Sequence, residues 1–175
     1  MMTRVTDQVS RNHPDLAEVH SLIAEFAEGN GLRRKEARLK LVHIGKSAVP
    51  ALVEALADPK DQIRWEAAKA LSEIGDPKAA PALVEALKDE NFGVRWLAAE
   101  GLISAGKRGL VPLLQALEKH SDSAWLREGA HHVIRTLVGR EDLHDLLSRV
   151  LIALDDVEPV IEVPPAAQKA LDELA

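Results

Sequence analysis

The sequence contains no cysteine, which excludes a disulfide framework, a thiolate metal site and a cysteine nucleophile together. No apolar run approaches the roughly 20 residues that a membrane-spanning helix needs. There is no glycine-rich phosphate loop, no G-x-S-x-G elbow and no H-E-x-x-H pair, so the familiar local signatures of nucleotide, serine-hydrolase and zinc-protease chemistry are missing. Basic residues are outnumbered, 22 Lys and Arg against 28 Asp and Glu, for a formal net charge of -6. That balance argues against nucleic acid as the main partner, because holding a phosphate backbone takes a concentrated basic surface. The opening MMTRVTDQVS lacks the apolar core of a secretion signal, and the expected location is cytoplasmic.

The 175 residues, 46% hydrophobic and 29% charged, suit one folded domain with a core of its own. Charge is unevenly spread: RRKEARLK, residues 33–40, is basic, and the stretch from Glu141 onward is mostly acidic. A solvated face is the plainer account of this asymmetry. Self-association of an otherwise monomeric chain, head to tail, is the other.

Regularity lies in the middle of the chain. Arg64 and Arg95, Trp65 and Trp96, Ala67 and Ala98, Leu71 and Leu102, Gly75 and Gly106, and Pro81 and Pro112 all recur 31 residues apart. A period of this length with an internal break marks a helical-repeat solenoid. Within one unit Ile63, Ala67, Ala70, Leu71 and Ile74 share one face of a first helix, A. Gly75 suits its end, and Pro81 the start of a second helix, B, whose stripe is Leu83, Val84 and Leu87. Neither helix hides its stripe alone, so the pairs must stack. A looser copy precedes this unit, the clean copy follows it, and a worn fourth comes last, with A over 126–137 and B over 143–154.

The ends differ from the repeats. Residues 13–29 read as an N-terminal cap whose Leu16, Val19, Ile23 and Phe26 cover the first repeat. Residues 157–165, VEPVIEVPP, combine proline spacing with alternating β-branched residues, which predicts an extended segment before a short helix. The expected fold is therefore an all-α, right-handed α-solenoid of about four helix pairs. Its boundaries are a cap at 13–29, repeats near 33–58, 61–89, 92–119 and 123–154, and a tail at 155–175 laid across the last repeat.

RWEAAKALSEIGDPKAAPALVEAL and RWLAAEGLISAGKRGLVPLLQAL, with the looser RKEARLKLVHIGKSAVPALVEALAD, resemble the HEAT-like repeats of phycobilisome lyases, a short bacterial variant of the HEAT repeat. The resemblance implies that Arg34, Arg64, Arg95 and Arg127 form a structural column paired with acidic residues, for which Asp58, Asp61 and Asp89 are candidates. It also implies that B helices line a concave surface where partners bind. Glu54, Glu85, Lys88, Gln115 and Glu118 would then face or rim that surface, and their mixed charge suits a protein better than a nucleic acid. Lys46, Lys78, Lys107 and Arg108 are expected in the A-to-B loops.

Trp65 and Trp96 fit either a ladder on the outer edge or packing in the grooves between repeats, with packing expected; exposed, they would anchor a partner. Trp125 is expected to plug the worn repeat. His131 and His132 point about 100° apart on a helix and have no histidine four residues away, so no metal is expected. His13, His20, His43, His120 and His144 are scattered. No catalytic residue and no cofactor is assigned. The resulting function is a protein-binding scaffold or adaptor. Two enzymes of similar architecture stand as alternatives: a factor attaching a bilin chromophore, and a DNA-repair glycosylase.

Overall fold

In the computed structural model, which describes residues 16–140 and 142–175, the chain is a succession of helices. These are α1 (Leu16–Ala24), α2 (Gly31–Ile44), α3 (Val49–Ala55), α4 (Asp61–Ile74), α5 (Ala80–Ala86), α6 (Phe92–Ala105), α7 (Lys107–Lys119), α8 (Ala124–Val138), α9 (His144–Leu154) and α10 (Pro159–Leu174). No strand occurs among the described residues. The A helices α2, α4, α6 and α8 pack side by side in that order, with α5 on α7 in the second row. This is the all-α solenoid that the repeat spacing predicts.

Local chemistry sets the helix boundaries. Asn30, Asn91 and Ser123 accept from the N–H groups of Leu32 at 2.9 Å, Gly93 at 2.8 Å and Leu126 at 3.3 Å, satisfying donors that a helix start leaves open. At the end of α4, Gly75 has φ +64, a left-handed conformation that costs a residue without Cβ little. Asp76 then accepts from Lys78 N–H at 2.9 Å and turns the chain into α5. Lys46 and Lys78 lie in the tight turns between A and B helices. In the third repeat Gly106 alone makes that turn, so Lys107 and Arg108 belong to the first turn of α7 and Pro112 falls inside the helix.

The core is built of small and branched side chains. Ala67, Ala68 and Ala70 of α4 are fully buried, as are Leu110, Leu113, Leu114 and Leu117 of α7. Small residues let helix axes approach, and the leucines fill the space between them. The cap works through Val19, Leu22 and Phe26, with Ile23 partly buried. Leu16, expected to join them, is exposed, because it stands in the first turn, before the packed face begins at Val19. Residues 13–15 of the expected cap, and His13 with them, lie outside the described residues.

The C-terminal segment overturns one expectation. Instead of an extended stretch over 157–165, α10 starts at Pro159 and runs through Pro164 and Pro165. Proline is well placed at the first helical position, where its missing N–H is not needed. Pro164 removes the N–H that would bond Val160 O, and the buried Ser121 hydroxyl donates to that carbonyl instead, at 3.0 Å. Val163, Ala167 and Ala170 bury one helical face as α10 packs on both α7 and α9. The tail thus closes the second row beyond α7, lying across the last two repeats.

Candidate functional site

The arginine column is structural in its contacts. In Arg34, Arg64, Arg95 and Arg127, Nη1 donates to the carbonyl six residues upstream, on Glu28, Asp58, Asp89 and Ser121. Each A helix is thereby tied to the turn that precedes it. Arg64, buried, adds a bidentate grip on Asp89 at 2.7 and 3.1 Å. The hydrogen bond to Asp89 holds its pKa above the ordinary arginine value, outweighing burial, which acts in the opposite sense. Arg34 reaches Glu66 at 3.3 Å, and the same buried carboxylate accepts from Arg38 and Gln62. Of the acids proposed as partners, Asp89 meets the column through its carboxylate, Asp58 offers its backbone carbonyl to Arg64, and Asp61 accepts from Asn91 at 3.0 Å. Arg38 and Glu66, which escaped the sequence reading, share this network because they lie one helical turn along from Arg34 and Gln62.

Arg95 differs from Arg64. Its Nη1 also bonds Glu90 O at 3.1 Å, but it makes no salt bridge among the described residues. Residue 120, which stands to Arg95 as Asp89 stands to Arg64, is a histidine. The guanidinium instead lies against the faces of Trp125, at 4.7 Å, and Phe92, at 5.5 Å.

The two equivalent tryptophans separate in the same way. Trp65 is partly buried against the core; a Cβ on Gly93 of the next repeat would lie 2.9 Å from its ring, so the ring fills the space that glycine leaves. Trp96 is 47% exposed and stacks on His132 at 4.6 Å, with Phe92 tilted against it at 6.5 Å. No ring contact joins Trp65 and Trp96 among the described residues, so they form no ladder. The worn repeat contains the cause: Trp125 precedes Arg127 by two residues, as Gly93 precedes Arg95. An indole there occupies what the preceding groove leaves open for Trp65. Trp125 is itself 45% exposed and lines a cleft rather than plugging the repeat. Counting from the arginine, with 32 residues instead of 31, would have placed it.

The resulting cleft between α6 and α8 has a volume of about 150 Å³ and is lined by Phe92, Arg95, Trp96, Trp125, Glu128 and His132. On the opposite row, Glu54, Glu85 and Gln115 are exposed, and Lys88 and Glu118 are half-buried. Lys88 pairs with Glu85 at 2.6 Å. Glu85 borders a hollow between α3 and α5, whereas Gln115 and Glu118 border one between α7 and α10 that Leu171 and Leu174 help to line. Of the predicted surface residues, Glu85, Gln115 and Glu118 thus border two hollows, and Glu54 and Lys88 line neither.

His131 and His132 turn apart, the first to Asp155 at 2.9 Å and the second to Glu100 at 3.0 Å. Among the described residues no three His, Cys, Asp or Glu side chains come together in a metal-holding group, and no helix is long and apolar enough to cross a membrane.

Comparison with known proteins agrees with this architecture. The family described as HEAT repeats matches residues 21–103. The structure of the complex of CpcE and CpcF of phycocyanin lyase from Nostoc sp. PCC7120 contains a chain 28% identical to this one, with 89% of this chain and 99% of that chain covered and a TM-score of 0.60. An engineered protein is 21% identical over 87% of this chain and 77% of its own, at a TM-score of 0.44. No curated protein matches the sequence.

Proposed function

This chain is a HEAT-repeat protein of the phycobilisome-lyase type, and on that premise we propose that it is a non-catalytic protein-binding scaffold working through the row of B helices. The observation that carries this reading is the near-complete overlap with a chain whose structure is a complex of two lyase proteins. A solenoid of this kind offers a rigid surface whose outward positions vary without disturbing the core. Glu85, Gln115 and Glu118 border two largely apolar hollows, and Glu54 and Lys88 add further charge of both signs on the same row, the combination of steering and burial that protein interfaces use. The arginine column is engaged with the chain's own carbonyls and carboxylates, which counts against a phosphate-reading face and with it the DNA-repair alternative.

The test is affinity purification of the intact chain from its native lysate beside a Glu54→Arg/Glu85→Arg variant whose fold is checked by circular dichroism. A stoichiometric protein that accompanies the intact chain and is lost from the variant is the expected result. An unchanged set of bound proteins would remove the B row from consideration. A second reading, assistance in attaching a bilin chromophore, draws on the same lyase likeness together with the exposed tryptophans. It predicts a change in visible absorbance on mixing with a bilin, and a flat spectrum would count against it.

A further inference from the structure

The cleft between α6 and α8 lies on the row opposite the proposed scaffold surface and has a chemistry of its own. Three aromatic rings border it: Phe92 is 61% exposed, and Trp96 and Trp125 are nearly half exposed. Its volume of about 150 Å³ matches the space that one benzene-sized ring occupies in an apolar cavity. Arg95 lies beside it with Nη1 fixed by two backbone carbonyls and both ring faces of Phe92 and Trp125 close by. Nε and Nη2 of Arg95 have no hydrogen-bond partner among the described residues. At the same position of the preceding repeat those two nitrogens bind a carboxylate, Asp89, in bidentate fashion.

We propose that this cleft is a binding site for an aromatic monocarboxylate, the ring seated among Trp96, Trp125 and Phe92 and the carboxylate taking the edge of Arg95 that Asp89 takes on Arg64. Planar, bidentate pairing is the geometry a guanidinium fork presents to a carboxylate. Backbone bonds and aromatic faces hold the fork in place beforehand, which lowers the ordering cost of binding. Glu128 on the cleft lining repels anions in proportion to their charge, which disfavours phosphate more than a single carboxylate. The site does not depend on the scaffold reading, and either can fail alone.

Titration of the full chain with phenylacetate, followed by tryptophan fluorescence and calorimetry, tests the site directly. A saturable response is expected, with phenylacetamide at least about tenfold weaker, since a charge-assisted pair contributes roughly 1.5–3 kcal/mol and each 1.4 kcal/mol is a factor of ten, and with acetate weaker because it keeps the charge but lacks the ring. Inorganic phosphate should not compete. Arg95→Gln should abolish the preference for acid over amide. Trp125→Ala, which leaves the Arg95 carbonyl bonds intact, should weaken phenylacetate by about threefold or more, as expected from loss of one ring contact. N-acetylphenylalanine separates the sources of such a group: tighter binding than phenylacetate assigns the site to the C-terminal residue of a peptide, weaker binding to a free small acid. No saturation by either carboxylate below about 10 mM, a range that fragment-sized ligands reach, overturns the proposal. So do equal binding of acid and amide, and unchanged affinity in both variants.

Discussion

Trp65 and Trp96 hold the same position in successive repeats, each directly after an arginine of the column, yet one is packed and the other presented. The groove that receives Trp65 has Gly93 opposite the ring and a carboxylate on the neighbouring arginine. The groove beside Trp96 has Trp125 opposite the ring and, among the described residues, no carboxylate on Arg95, although Glu128 lies on the lining. The two grooves thus differ at two positions, glycine against tryptophan opposite the ring and aspartate against histidine beside the arginine, while the helices and the arginine's carbonyl bond stay the same. In a solenoid each interface is energetically local, so one can be opened without loosening the rest.

The largest separation between the two grooves should appear in their arginines. Arg64→Gln leaves the poorly exposed Asp89 without its partner and should cost about 3 kcal/mol, the scale for breaking a buried ion pair. Arg95→Gln loses only bonds to carbonyls and ring contacts and should cost about 1 kcal/mol. Urea unfolding of both variants measures the difference, and equal losses would mean that the carboxylate does not distinguish the grooves. Next in size is Gly93→Ala, which forces Trp65 out of its seat at about 1–3 kcal/mol, as overpacking does. Its tryptophan emission should shift to the red as the ring meets water.

Trp125→Ala should have a smaller effect on stability, within about 1 kcal/mol, because the ring is exposed and its contacts are few. Emission should shift to the blue as Trp96 settles into the vacated groove, making the third groove resemble the second. The smallest effect is expected from Glu54→Arg/Glu85→Arg, about 0.5 kcal/mol or less by thermal melting, since exposed substitutions away from caps and cores rarely do more. A marked loss there would show that the B row carries fold as well as function.

Much of this architecture was legible because it is encoded locally and repeatedly. The 31-residue recurrence places the A helices, and Gly75 and Pro81 mark a stop and a start that follow from backbone geometry. The tail was misread because its prolines and β-branched residues favour extended backbone when taken alone. In the fold its buried face packs on α7 and α9, and Ser121, 39 residues away, supplies the hydrogen bond that Pro164 withholds. The cleft escaped for a different reason: Trp125 looks out of register by the 31-residue count, and counting from Arg127, which follows Arg95 by 32 residues, aligns it with Gly93. The first miss depends on a contact between distant parts of the chain, the second on one inserted residue that shifts the repeat.

Acrylamide quenching of two single-tryptophan proteins, one keeping Trp65 and the other Trp96 with phenylalanine at the remaining sites, compares the grooves most directly. A less quenched Trp65 that ignores phenylacetate is expected, and an accessible Trp96 that becomes shielded when phenylacetate is added. Equal quenching of the two, or a phenylacetate response at Trp65 alone, would contradict the division between a packed tryptophan and a presented one.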